Sequence, residues 1–397
     1  MKKTIMLTAL IFVLIFSAFS QSESTLFEAR TDNYLVYSEI SAENASNIAE
    51  TLEGLLSLYN SYFHFDLSER EIPFKVRMFA TKDRYDSYLQ SVINQTREDF
   101  TYLHYSSPER SELLLYSMGE DFEVSLAHHG FIQFIKSFVS NPPLWMRVGF
   151  AVYFERADYD TETDQMVFLE NLAWIETLKE AIANEETSLI SLESLLQMTP
   201  AQANEQINLF YPQSWALVSF LLNSDNTQYN RILWDAVHNL QARATLAVNS
   251  QHIVSNAFSW VNMEQLETDY LQYINSRMSY RELVQAGVRE YNEEDYETAL
   301  KHFTDARSLE PSRPVPYYYL GLLNYNTGNY IRAEEYFQSA LEYGADGGAV
   351  YYALGVNAFA DNQYDLARTY LENAIGEDPE TYQDKAQSIY DRMEAAN

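Results

Sequence analysis

Residues 280–313 read YRELVQAGVREYNEEDYETALKHFTDARSLEPSR, and the pattern returns 34 residues later and once more 34 after that. Gly287, Gly321 and Gly355 keep the interval, as do Tyr296, Tyr330 and Tyr364. Ala299, Ala333 and Ala367 repeat in the same way, and so do Ala306, Ala340 and Ala374. Phe303, Phe337 and Leu371 fill an equivalent slot for a large apolar side chain. Pro311 and Pro379 close the first and third units, with Ala345 in that place in the second. A fixed period of this length marks an array whose units cannot bury their apolar faces alone and must stack on their neighbours. Small residues at fixed positions predict close approach of two helices, with the large residue filling the hole beside them.

The pattern resembles the tetratricopeptide repeat (TPR). The resemblance implies three helical hairpins, 280–313, 314–347 and 348–381, stacked as a short right-handed all-α solenoid. The last segment, TYQDKAQSIYDRMEAAN (381–397), then reads as a capping helix with Ala386, Ile389, Tyr390 and Met393 turned inward. By the family's pattern the first helix of each hairpin lines a groove. Its positions here are Val284, Val288 and Tyr291; Val315, Tyr318, Leu322 and Tyr325; and Ala349, Tyr352, Val356 and Phe359. Aromatic side chains in a groove give large contact area at low entropy cost, which suits a protein or peptide partner. The alternative for any one ring is packing between neighbouring helices. None of these positions is Lys or Arg, so a basic clamp for a C-terminal carboxylate is not expected there.

A second stretch bears on chemistry: LAHHGFIQFIKSFVSNPPLWMRVGFAVYFE (126–155). Leu126, Phe131, Ile132, Phe134, Ile135 and Phe138 suit a buried helix, Asn141-Pro142-Pro143 stops it, and a second apolar helix starts at Trp145. The layout resembles the active-site segment of gluzincin (peptidase MA-like) zinc peptidases, in which an HExxH helix is followed by a helix that supplies the third ligand. His128 matches the first histidine, His129 stands where the glutamate base belongs, Ile132 where the second histidine belongs, and Val148 where the third ligand belongs. Trp145, Gly149, Ala151 and Tyr153 match the second helix. One imidazole does not make a zinc site, which needs three protein donors. Ile132 and Val148 donate no electron pair and are expected to pack into a dry pocket. Neither metal nor other cofactor is therefore expected, and the resemblance implies a pseudoenzyme. The competing reading of the same residues is an ordinary amphipathic helix.

The surroundings extend the resemblance over roughly 27–225. NYLVYSE (33–39), FKVRMFA (74–80) and ELLLYS (112–117) read as strands. Between the first two, Ala45, Ile48, Ala49, Leu52, Leu55, Leu56 and Tyr59 recur at helical spacing after Ser41, a plausible N-cap. The expected fold is an α+β N-terminal domain (small mixed sheet plus helices, thermolysin-like gluzincin layout) over 21–275. Its later part is a helical middle region with loops at ADYDTETD (157–164), MTPAQANE (198–205) and NSDNTQ (223–228). The solenoid follows from about 280 without a Gly/Ser linker, which predicts a fixed orientation.

MKK, the apolar run TIMLTALIFVLIFSAF and SQSES read as a secretory signal at 1–20, cleaved after Ser20, with an uncleaved anchor as the alternative. That predicts an exported protein, periplasmic or secreted. The chain has no cysteine, which excludes disulfides, a thiol nucleophile and a cysteine-linked lipid anchor. Lys and Arg number 26 against 57 acids, a net charge of −31, or −33 once Lys2 and Lys3 leave with the signal. Such a field repels nucleic acid and anionic lipid. No phosphate loop, G-x-S-x-G elbow or dinucleotide fingerprint is present. The function these features imply is an exported binding or scaffold protein whose partner is a protein or peptide held by the groove. Two readings compete with it: a zinc peptidase with unconventional ligands, and a cell-envelope assembly factor with an unrelated α+β domain.

Overall fold

The computed structural model describes residues 26–160, 165–168, 170–184 and 188–396, so the expected signal sequence lies outside them. Strands β1 (Phe27–Arg30) and β2 (Tyr34–Ser38) lead into helix α1 (Ala42–Phe63). There follow β3 (Phe74–Phe79), α2 (Lys82–Ile93), β4 (Thr101–Leu103), β5 (Glu112–Tyr116), α3 (Phe122–Phe138) and α4 (Leu144–Phe154). The strands form one mixed sheet in the order β1-β2-β3-β5-β4. The three strands expected from sequence, β2, β3 and β5, form its parallel centre, with Val36 opposite Val76 and Met78 opposite Leu115. The edge strands β1 and β4 are antiparallel additions that the sequence reading missed.

Helix α1 starts where Ser41 Oγ accepts the Asn44 N–H at 3.0 Å, and its expected apolar stripe is buried. Tyr59, on the same stripe, donates through its hydroxyl to the Ala127 carbonyl at 2.6 Å, tying α1 to α3. Asn141-Pro142-Pro143 breaks the chain between α3 and α4 as expected.

The middle region opens on an antiparallel hairpin of β6 (Ala157–Asp160) and β7 (Gln165–Phe168). ADYD is thus a strand rather than part of a loop, and 161–164 lie outside the described residues. Helices α5 (Trp174–Ala183), α6 (Leu192–Gln197), α7 (Pro200–Glu205), α8 (Ile207–Asn223), α9 (Thr227–His238), α10 (Leu246–Asn256) and α11 (Met263–Ser276) follow. The expected loop MTPAQANE contains α7, a short helix nucleated by a capping box between Thr199 and Gln202 with Pro200 at its first position. NSDNTQ does span a helix break, between α8 and α9. Helix α8 crosses α4 at Gly149, where a Cβ would stand 2.3 Å from the Ser214 carbonyl oxygen. Only glycine lets the two backbones approach so closely.

The C-terminal region is TPR-like: hairpins α12 (Tyr280–Asn292)/α13 (Tyr296–Leu309), α14 (Pro314–Asn326)/α15 (Tyr330–Glu342) and α16 (Gly347–Ala360)/α17 (Tyr364–Glu377), then α18 (Pro379–Ala396). The recurring glycines explain themselves. A Cβ at Gly287 would lie 2.9 Å from Phe303, at Gly321 2.5 Å from Phe337, and at Gly355 2.7 Å from Leu371. Each hairpin closes by seating the large residue of its second helix over the glycine of its first. Ala386, Ile389 and Met393 of α18 are buried against the last hairpin.

Three residues separate α11 from α12, and the two regions touch extensively. Lys179 pairs with Glu282 at 2.6 Å, Arg277 with Glu170 at 3.2 Å, and Arg281 with Glu176. Arg156 donates to the Ser308 carbonyl, and Leu172 packs on the cluster of Leu283, Ala306 and Leu309.

Candidate functional site

Two places are candidates for contact with other molecules. The first is a cleft of about 670 Å³ between α3, α4, the segment before β4, and the starts of α5 and α8. His128, His129, Ile132 and Val148 all line it, so the structure brings together the four positions that the sequence singled out.

Helical spacing explains the α3 wall. Residues 128, 132 and 136 follow at intervals of four and share one face. His128 Nδ1 lies 2.8 Å from Glu155 Oε1, while Asn171 Nδ2 donates to Glu155 Oε2 at 2.7 Å. The neighbouring ring turns another way: His129 Nε2 lies 3.2 Å from Asp99 Oδ2, off the line of a hydrogen bond. Burial lowers the His129 imidazole below its usual range, against the opposing pull of Asp99, so this ring is neutral at pH 7. Burial alone would raise Asp99, but its contact with His129 and hydrogen bonds from the Phe100 N–H and Ser125 hold it at about 2.

These residues do not fit a catalytic zinc. Val148 is only 4% exposed and Ile132 is half-buried, and neither offers a lone pair where a ligand is needed. The two histidines engage different carboxylates. Among the described residues no three His, Cys, Asp or Glu side chains gather as a metal site would require.

The pocket is nevertheless not the dry, packed one expected from Ile132 and Val148. Arg97, Lys136 and Arg147 also line it beside the carboxylates, so the cleft is open and its lining mixed. Burial, and the nearby Arg147 charge, push the Lys136 ammonium down to about 8. Burial likewise lowers Arg147, countered in part by Tyr211. Glu155, Asp99, Lys136, Arg147, Trp174 and Tyr211 were not singled out from sequence. Lys136 alone carried a signal, being on the His128–Ile132 face.

The second place is the row of first-helix side chains in the hairpins. Val284, Val288, Tyr291, Tyr318, Leu322, Tyr325, Tyr352, Val356 and Phe359 are all half-buried, neither sealed in the core nor fully exposed. Their rings touch neighbours on one side: Tyr291 meets Tyr319 edge-on at 5.4 Å, and Tyr318 meets Phe337 at 5.9 Å. At the far end α18 changes the character of the row. Tyr352 stands 5.5 Å from Tyr382, the Lys385 ammonium lies 5.8 Å from the Tyr352 ring, and the Arg392 guanidinium 4.9 Å from the Phe359 ring. The groove positions themselves carry no Lys or Arg, and the cations at this end come from the capping helix rather than from the three repeats.

No protein-family model matches the chain, and no curated protein matches it. Among solved structures it is similar to the first TPR of Spaghetti (RPAP3) bound to the HSP90 peptide SRMEEVD, at 16% identity and a TM-score of 0.27, over 29% of this chain and 92% of that one. It is similar to the N-terminal domain of stress-induced protein-1 from C. elegans at 21% identity and a TM-score of 0.25, over 28% of this chain and 94% of that one. The Arabidopsis OM64 TPR domain shares 15% identity at a TM-score of 0.28, over 30% of this chain and 96% of that one. The hairpins described above, not these likenesses, define the TPR-like region.

Proposed function

We propose that this chain is an exported, non-catalytic binding protein: a peptidase-like domain without its metal, joined to a TPR-like module that holds a protein or peptide. The observation that carries this reading is the row of half-buried aromatic and aliphatic side chains presented by the first helix of every hairpin. Rings already packed on one edge lose little freedom when a partner covers the other, so their contact area converts efficiently into affinity. The chain's net charge of −31 together with an apolar row favours a partner with an apolar strip and cationic flanks. In the peptidase-like part the donor set argues against hydrolysis, and export rests on the N-terminal apolar run.

The test uses the central hairpin, whose Tyr318, Leu322 and Tyr325 are free of the α18 cations. Alanine at all three positions should abolish capture of a partner from cell-envelope extract by the full chain, with helicity by circular dichroism preserved. Capture equal to wild type with the fold intact removes the groove from the function.

A further inference from the structure

Three cations line the cleft in the N-terminal domain: the exposed Arg97, whose guanidinium donates to Gln95 Oε1, and the half-buried Lys136 and Arg147, for which nothing in the fold accounts. Among the described residues no carboxylate lies within ion-pairing distance of Lys136 or Arg147, and neither side chain makes a hydrogen bond. In a chain with 57 acidic side chains against 26 basic ones, two half-buried cations left unpaired in one cleft are conspicuous. Each is there at a cost, because burial without a counter-charge disfavours the charged form and their mutual repulsion adds to it. Lys136 at least lies in the last turn of α3, where the helix dipole favours a cation. Arg147 lies near the start of α4, where the dipole disfavours a cation and favours an anion. Unfavourable placements of this kind collect at functional sites.

We infer that the cleft between α3 and α4 binds an organic monoanion, a carboxylate carried on an apolar body, with Lys136 and Arg147 as its counter-charges. Phe100, Ile132, Val148, Trp174 and Tyr211 supply apolar and aromatic walls for the body. Arg147 offers the planar fork that matches a carboxylate. A single charge fits better than a dianion, because the cleft's three cations, Arg97, Lys136 and Arg147, are already matched in number by Glu98, Asp99 and Glu155, which would repel a second negative charge. The carboxylate can come from a free organic acid or from the C-terminus of a peptide. This inference is independent of the solenoid groove.

Isothermal titration of the full chain with N-acetylphenylalanine, acetyl-Ala-Ala-Phe, the amide of each, and inorganic phosphate tests it. The acids should bind saturably, and the amides and phosphate roughly tenfold or more weakly, the scale of a lost charged hydrogen bond. Acetyl-Ala-Ala-Phe binding tighter than N-acetylphenylalanine assigns the site to peptide termini; equal affinity assigns it to free acids. Lys136→Met and Arg147→Met should each weaken binding by a similar factor while raising the thermal midpoint of the empty protein, since each removes an unpaired charge. That rise separates loss of a ligand contact from loss of fold. Acid and amide binding equally, no saturable binding by either acid, or both variants binding like wild type would overturn the assignment.

Discussion

The glycine-to-ring contact in the central hairpin gives a prediction whose sign reverses with context. A Cβ at position 321 would come within 2.5 Å of the Phe337 ring, which is 1% exposed and cannot swing into solvent. Gly321→Ala should therefore destabilise the α14/α15 hairpin by about 1–3 kcal/mol, the range for overpacking a filled core. Phe337→Ala removes the ring and should cost about 3–5 kcal/mol. In that background the space at 321 is empty, so Gly321→Ala meets no clash. It should instead gain about 1 kcal/mol from the helix preference of alanine over glycine. The coupling between the two changes is thus about 2–4 kcal/mol, well outside the additivity expected of distant sites. Hydrogen exchange read by mass spectrometry on peptides from 314–342 reports opening of this hairpin without requiring two-state unfolding of the whole chain. Equal cost for Gly321→Ala in both backgrounds would refute the claim that the ring seated on the glycine is why this period exists.

Two further predictions concern the N-terminal domain. Gly149→Ala places a methyl group 2.3 Å from the Ser214 carbonyl oxygen, so helices α4 and α8 must part. The unfolding midpoint should fall by the equivalent of about 3 kcal/mol, and an unchanged midpoint would show that the crossing is looser than described. His129 has its proton affinity lowered by burial, so acid favours the unfolded chain, which takes up a proton there first. Its contribution to stability is fully present above the ordinary histidine range and declines as pH falls through that range towards the lowered value. His129→Gln cannot take up the proton and should flatten the urea midpoint between about pH 6.5 and 5. An unaltered slope contradicts a neutral, buried His129.

The parts of the fold that were legible share one property: their signal is local or strictly periodic. Ser41 and the stripe from Ala45 to Tyr59 announce α1, alternation announces β2 and β3, the short apolar run ELLLYS announces β5, and the 34-residue interval announces the hairpins. Apart from α7, whose capping box is local, the missed elements are stabilised from outside themselves. Strand β4 is three residues long and owes its conformation to pairing with β5. The β6–β7 hairpin begins in an acidic stretch whose composition imitates a loop. The cleft was half legible. Lys136 stands one turn after Ile132, and that much follows from helix geometry. Asp99, Trp174 and Tyr211 arrive from segments distant in sequence, and nothing local marks them. The apolar replacements at 132 and 148 suggested a filled pocket. The cleft is lined as well by Lys136 and Arg147, which a pattern of apolar residues does not reveal.

Whether this molecule binds or hydrolyses is tested most directly by its metal content. The untagged chain is equilibrated with zinc, passed through a desalting column and assayed by mass spectrometry of the elements. With Ile132 and Val148 in place of donors, retained zinc should be roughly a tenth of an equivalent or less and the same in His128→Ala, since one imidazole does not hold the ion. One equivalent of zinc per chain, lost on His128→Ala, would contradict the account and make the cleft a metal centre.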